Sequence, residues 1–175
     1  MLEPVLVEEL ASGDLESAIP ALSHLLEACV AKGASIGFLL PFDAADAAEF
    51  WRKMAVQIRS GDRRLLVARR GGKTIGAVMV VLAMPANGSH RAEISKLIVD
   101  PDARRQGIGR ALMTAAEAMA MREGRTLLVL DTRTGDAAED LYVSLGFRKA
   151  GVIPAYVHSE NGALESTTVM YKLLA

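Results

Sequence analysis

Apolar positions recur along the chain with two spacings, close to the helical 3.6 in some stretches and to the extended 2 in others. Val5 to Leu10 reads as a short first strand. Leu22, Leu25, Leu26, Cys29 and Val30 then mark one face of a helix whose regular part Pro20 sets near itself. Gly33 to Phe42 is a loop. Asp43 or Asp46 caps a second helix with Phe50, Met54 and Ile58 on its buried face, and Gly61 ends it. Arg64 to Arg69 and Thr74 to Ala83 form a hairpin around the turn Gly71-Gly72, followed by a polar loop from Met84 to His90. Ala92 to Val99 is a strand of mixed character. Strict alternation puts Glu93, Ser95, Leu97 and Val99 on one face, and Ile94, Lys96 and Ile98 on the other. A helix from about Ile108 to Arg122 follows, with a stripe of Ile108, Leu112, Ala115, Ala116 and Met119 closed by Gly124. Thr126 to Thr132 reads as a buried strand. A short helix starts at Asp136 or a neighbour and ends at Leu145 and Gly146. Two last strands flank Asn161-Gly162.

Strand, two helices, three strands, helix, strand, helix and two strands is the order of a mixed α/β (α+β) domain with helices on both faces of one sheet. The 175 residues suit a single domain, 1–175, and 51% hydrophobic against 23% charged residues is an ordinary globular balance. A net charge of -1 and a pI near 6.3 argue against nucleic acid as a partner. The single cysteine, Cys29, allows no intramolecular disulfide and sits where a small core residue belongs. The first ten residues lack the basic start of a signal peptide, and the longest apolar run, Ala77 to Pro85, is too short for a bilayer. The cytoplasm is therefore the default location, with no membrane partner. His24, His90 and His158 lie far apart without ligand spacing, so no metal site is expected.

Candidate chemistry concentrates between Val99 and Leu112. A strand ends, a polar loop turns through Asp100-Pro101-Asp102-Ala103-Arg104-Arg105-Gln106, and Gly107-Ile108-Gly109-Arg110 opens an amphipathic helix. Free backbone N–H groups, the positive helix end and closely approachable glycines make that point a cradle for phosphate or pyrophosphate. The sequence does not carry the dinucleotide fingerprint, because the sixth position is Leu112 and seven residues separate Val99 from Gly107. It also lacks the Gly-Lys-Ser/Thr of a P-loop.

These residues resemble the GCN5-related N-acetyltransferases (GNAT), whose pyrophosphate loop reads Gln/Arg-x-x-Gly-x-Gly/Ala and is met by Arg104 to Gly109. Leu141 to Phe147 is similar to the late Tyr-x-x-x-Gly-Phe signature of the same family, and the resemblance runs from about Arg63 to Leu173. Gly135 stands where many members have an asparagine, seven residues before Tyr142. Within the family, Ala34 to Phe38, Arg91-Ala92-Glu93, Lys96-Leu97, Leu130-Asp131-Thr132 and Pro154-Ala155-Tyr156 resemble the tabtoxin-resistance acetyltransferases. The resemblance implies a mostly antiparallel GNAT sheet and acetyl-CoA as co-substrate. Leu97, Ile98, Val99 and Arg104, Arg105, Gln106, Gly107, Ile108, Gly109 and Arg110 would hold that co-substrate. It implies Glu93 and Asp131 as catalytic carboxylates and Tyr142 as the acid for the departing thiolate. A homodimer is the assembly it suggests.

The residue types fit that chemistry. An amine must lose a proton before it can attack a thioester, and a nearby carboxylate can take it directly or through water. Glu93 is a charge within a strand, and Asp131 ends the apolar run Leu127 to Leu130. Each has a plainer alternative: Glu93 on a solvent face, Asp131 as a strand end or cap, Tyr142 packed beside Phe147. Phe38, Phe42 and Tyr156 are candidates for the acceptor pocket, whereas Trp51 reads as core. The leading expectation is transfer of acetyl to a small-molecule amine, including a β-lactam or amino-acid-like toxin. The alternatives are a protein N-terminus or lysine as acceptor, and a non-catalytic acyl-CoA-binding module.

Overall fold

A computed structural model describes residues 3–174. Its strands are β1 (Leu6–Glu9), β2 (Arg63–Arg70), β3 (Lys73–Val81), β4 (Arg91–Val99), β5 (Leu127–Arg133), β6 (Arg148–His158) and β7 (Leu164–Leu173). Its helices are α1 (Leu15–Ala31), α2 (Ala44–Arg59), α3 (Ile108–Arg122) and α4 (Ala137–Ser144). The strands form one sheet in the order β1-β2-β3-β4-β5-β7-β6, antiparallel except for the β4–β5 pair. The element order expected from periodicity is met throughout.

Alternation along β2 and β3 splits their side chains between two cores. Leu66, Ala68, Val78 and Val80 join Ile108, Leu112, Met113 and Met119 of α3 on one face. Leu65, Val67, Ala77 and Met79 join Leu22, Leu26 and Val30 of α1 and Trp51 of α2 on the other. Both faces of the central strands are buried, so their apolar runs are continuous despite antiparallel pairing. Each fully buried Leu, Ile, Val or Met stabilises by about 1.5–3 kcal/mol.

Local sequence differs from the expected elements in three places. α1 starts at Leu15, five residues ahead of Pro20, which lies exposed inside the helix. Leu15, Ile19 and Leu22 continue the buried stripe across it, and that burial outweighs the lost backbone bond. On α2 the buried face is Ala47, Trp51, Ala55 and Ile58, with Phe50 and Met54 at its margin. Asp43 and Asp46 do cap this helix reciprocally: Asp43 Oδ1 accepts from the Asp46 amide at 3.0 Å, and Asp46 Oδ2 from the Asp43 amide at 3.2 Å.

β4 is the third place. Its pairing with β3 slips between Met79↔Ser95 and Ala77↔Ile98, so Lys96 and Leu97 together oppose Val78. Lys96 takes φ 53° in this bulge. Strict alternation breaks there: Leu97 and Val99 pack with Ile94 in the α3-side core, and Ile98 joins the α1-side core. β4 meets β5 at only three register pairs, Arg91↔Leu127, Ala92↔Leu128 and Glu93↔Val129. Beyond them β4 stays with β3, while β5 stays with β7 as far as Arg133↔Thr167. The sheet therefore splits into a wedge.

Candidate active site in the split of the sheet

The wedge opens into a cleft of about 840 Å³ walled by the free half of β4, the end of β5, the α3 N-terminus, α4 and the loop after α1. That size and mixed lining suit a small ligand. Parallel strands that part leave unpaired backbone groups along β4, an edge to which an extended, amide-bearing ligand can add. Leu97, Ile98 and Val99 line this edge. The Val99 carbonyl is already engaged, since the Cys29 thiol donates to it at 3.3 Å and Arg104 Nε at 3.4 Å. Burial raises the pKa of Cys29, so it stays a core thiol in the cleft wall.

Glu93 and Asp131 both line the cleft, one from each parting strand. Glu93 stands at the last β4–β5 pair and is exposed to the cleft. Asp131 lies two residues beyond the Glu93 partner Val129, and the Thr167 hydroxyl of β7 lies 2.8 Å from its Oδ2. The same hydroxyl is 2.9 Å from the Thr132 carbonyl, and its one hydrogen serves one acceptor at a time. Tyr142 of α4 also reaches the cleft while packing against Phe147 at 5.8 Å between ring centroids. Burial, then the negative charges of Asp131 and Asp136, raise its pKa well above the ordinary value, so it keeps its proton.

At the other end of the cleft, Gly107 caps α3 in the left-handed conformation at φ 81°, and Arg105 before it has φ 63°. No side chain caps this helix, and its first turn holds no acid. The first helical bond runs from the Ala111 amide to the Gly107 carbonyl at 3.0 Å, which leaves the amides of Ile108, Gly109 and Arg110 without intrahelical partners. Arg104, Arg105 and Arg110 line the same end. An uncapped helix end ringed by guanidinium groups fits a pyrophosphate.

Three expected site residues sit elsewhere. Gln106 is not in the cleft lining: its side-chain oxygen accepts from Arg70 Nη1 at 2.7 Å, and its amide nitrogen reaches the Asp102 carbonyl at 3.4 Å. Phe38 and Phe42 also do not line the cleft. Phe38 packs tilted against Phe42 at 4.7 Å and edge-to-face with Phe50 at 5.1 Å between ring centroids, and this aromatic group continues to Trp51 in the α1-side core. Apolar rings gain more from packing together than from standing in an open cleft. Tyr156 of β6 does line it, and is 52% exposed.

The sequence reading passed over Lys96, Thr167 and Glu139. Lys96 lines the cleft with its Nζ 5.5 Å from the Phe38 ring centroid. A lysine between the apolar residues Ile94 and Leu97-Ile98 was the available signal. Glu139 is buried in α4, where its Oε2 accepts from the Gly135 amide at 3.0 Å and from the Thr168 hydroxyl at 3.1 Å, and Lys149 pairs with Oε1. That network fixes the loop that carries β5 into α4. Among the described residues no three His, Cys, Asp or Glu side chains are grouped to hold a metal, and no helix is long and apolar enough to cross a membrane.

The sheet is split between β4 and β5, with an open helix end at one side of the cleft and two carboxylates at its crotch. The chain belongs to the acetyltransferase (GNAT) family, whose model matches residues 30–147. It is 33% identical over 109 residues to N-acetyltransferase 8 of Homo sapiens, 61% of this chain and 48% of that protein. It is 38% identical over 72 residues to the ribosomal protein bS18-alanine N-acetyltransferase of Escherichia coli (strain K12), 41% of this chain and 49% of that protein. The chain thus spans about half the length of these curated relatives. The fold matches that of YncA from Salmonella typhimurium, solved with its cofactor acetyl-CoA, at a TM-score of 0.79 and 20% identity over 98% of this chain and 94% of that one.

Proposed function

We propose that this chain is one N-acetyltransferase domain that transfers acetyl from acetyl-CoA to the amine of a small molecule. The observation that carries the reading is the wedge: an open α3 N-terminus at one end and Glu93 and Asp131 on facing strands at the other. When bound, acetyl-CoA supplies an activated thioester carbonyl. The amides of Ile108, Gly109 and Arg110, with Arg104, Arg105 and Arg110, would hold its pyrophosphate, and the free β4 edge at Leu97 and Ile98 its amide-bearing arm.

The residues of the chain divide the proton work. An acceptor amine arrives as ammonium, and Glu93 or Asp131 takes its proton directly or through water, freeing the lone pair that attacks. As the new C–N bond forms and the C–S bond breaks, Tyr142 would give its proton to the departing sulfur and regain one from water, and the second proton shed by the acylated nitrogen would leave through water. Its raised pKa keeps that proton available at neutral pH. The pocket side formed by the loop after α1 and by Tyr156 suits a small acceptor, and the likeness to tabtoxin-resistance acetyltransferases extends that class to amino-acid-like or β-lactam toxins.

The match to a ribosomal-protein alanine acetyltransferase favours a second reading, a protein N-terminus as acceptor. Release of free CoA, measured across small amines, amino acids and peptides with free N-termini or lysines, separates the two. Faster turnover of at least one small amine than of any peptide is expected. Peptide turnover well above all small amines overturns the small-acceptor reading, and no release with any amine overturns the transferase reading. Glu93→Gln and Asp131→Asn should each lower turnover by roughly 10²–10⁴ with acetyl-CoA affinity nearly intact.

A further inference from the structure

Beside the exposed Lys32, the acceptor side of the cleft holds one half-buried cation that no protein group among the described residues claims. Of its basic side chains, Arg133 is paired, with Asp136 at 2.9 Å and Glu165 at 3.5 Å. Lys96 has neither an ion pair nor a hydrogen bond among the described residues. It is half-buried, and its Nζ stands over two aromatic faces, 5.5 Å from the Phe38 centroid and 6.0 Å from that of Phe50. Ring faces attract an ammonium and fix its position, but they do not satisfy three directed N–H donors. Gly37 leaves the ammonium room, since a Cβ there would lie 3.3 Å from Nζ.

The backbone is shaped to aim this side chain. Lys96 occupies the β4 bulge at φ 53°, a region that side-chain-bearing residues rarely adopt. Bulges re-aim a side chain and recur next to active sites. Without it, alternation would place Lys96 on the face of Ile94 and take it away from the Phe38 and Phe50 rings. Burial and the charge of Arg63 act against its ammonium form, and Asp131 and Glu93 act in favour of it. Apart from the Arg133–Asp136 pair and the exposed Lys32, the acceptor end thus presents the carboxylates of Glu93 and Asp131 and the ammonium of Lys96, a charge pattern complementary to a zwitterion.

We infer that Lys96 is the specificity-determining residue for the acceptor and binds a carboxylate on it, so that the preferred substrate is an amine bearing its own carboxylate, an amino acid or a short amino-acid-like molecule. This rests on the wedge being the transfer site. The acceptor ammonium then faces Glu93 and Asp131, and its carboxylate faces Lys96 over Phe38. A peptide N-terminus carries no carboxylate beside its amine, so the same residue selects against it.

The test uses matched probes: glycine, lysine and phenylalanine, each against its own carboxamide. Binding to the CoA-loaded protein is read by calorimetry and transfer by release of CoA from acetyl-CoA. Loss of a charge-assisted contact changes affinity roughly 10- to 100-fold. At least one acid should exceed its carboxamide by that factor in Kd and kcat/KM. Lys96→Met should abolish the difference, and Lys96→Arg should retain most of it. Equal handling of every acid and carboxamide, absence of binding by every acid, or equal loss on both probes in Lys96→Met overturns the inference. Equal loss marks Lys96 as a base or a structural element. A Lys96-dependent preference in binding with no CoA release leaves the carboxylate contact of Lys96 standing but removes the transferase reading, and with it the role of Lys96 in choosing an acceptor. Fast transfer to carboxamides and acids alike overturns the inference and sustains the transferase reading.

Discussion

Gly109→Val tests the cofactor end of the cleft. A Cβ on Gly109 alone would stand 3.1 Å from Leu141 Cδ2 and 3.9 Å from Val99 Cγ2, where ordinary contact begins near 3.4 Å. Leu141 belongs to α4 and is half-buried, so it can yield a few tenths of an ångström to a methyl but not to a branched side chain. The added methyls therefore crowd the space between α3 and α4 at the α3 N-terminus, and should keep a phosphate from approaching the open amides of Ile108 to Arg110. Each hydrogen bond from these donors to a charged phosphate is worth about 1.5–3 kcal/mol, or roughly 10- to 100-fold in affinity. Folding should change far less. Overpacking costs about 1–3 kcal/mol, and replacing a helical glycine returns up to about 1 kcal/mol. Calorimetry with acetyl-CoA and CoA, beside a denaturation curve, reads both quantities. A folded Gly109→Val protein that binds acetyl-CoA as tightly as the parent refutes the placement of the pyrophosphate at this helix end.

The other perturbations address the proton-handling groups and the core. Thr167→Val removes the hydroxyl beside Asp131 while keeping its shape. The Asp131 carboxylate then loses a contact that holds it in place, and turnover should fall about tenfold with acetyl-CoA affinity unchanged. Unchanged turnover denies Thr167 a positioning role. Tyr142 has a folded pKa above its unfolded value of about 10, so below that pH it is protonated in both states and pH has no leverage through it. Above about pH 10 the unfolded chain ionises first and stability falls. Urea denaturation at neutral and strongly alkaline pH should show that fall, and Tyr142→Phe should lessen it while slowing transfer. Trp51→Ala, at a site 2% exposed between α1 and α2, should cost about 3–5 kcal/mol and lower Tm by several degrees. A loss below about 1 kcal/mol would contradict its place in the core.

Local chemistry determined much of this protein. Helical and strand periods, the Gly71-Gly72 turn, the Asp43 cap and the glycines at 107 and 109 each act over a few residues, so they are readable without a partner. The anion-binding helix start after Val99 belongs to that class, as does the charge of Glu93 within a strand. Tertiary structure decided the rest. The bulge at Lys96 exists because β4 must stay in register with β3 on both sides of it, and that register is a property of two strands. A shift of one residue exchanges faces, which is why Leu97 and Ile98 lie opposite to their expected sides. The parting of β4 from β5 likewise depends on β5 following β7. Phe38 and Phe42 left the cleft because Phe50 and Trp51 offered them a packed surface that only the folding of α2 creates. Pro20 was tolerated inside α1 because the apolar stripe on either side of it had a sheet to bury against, and burial outweighed one missing hydrogen bond.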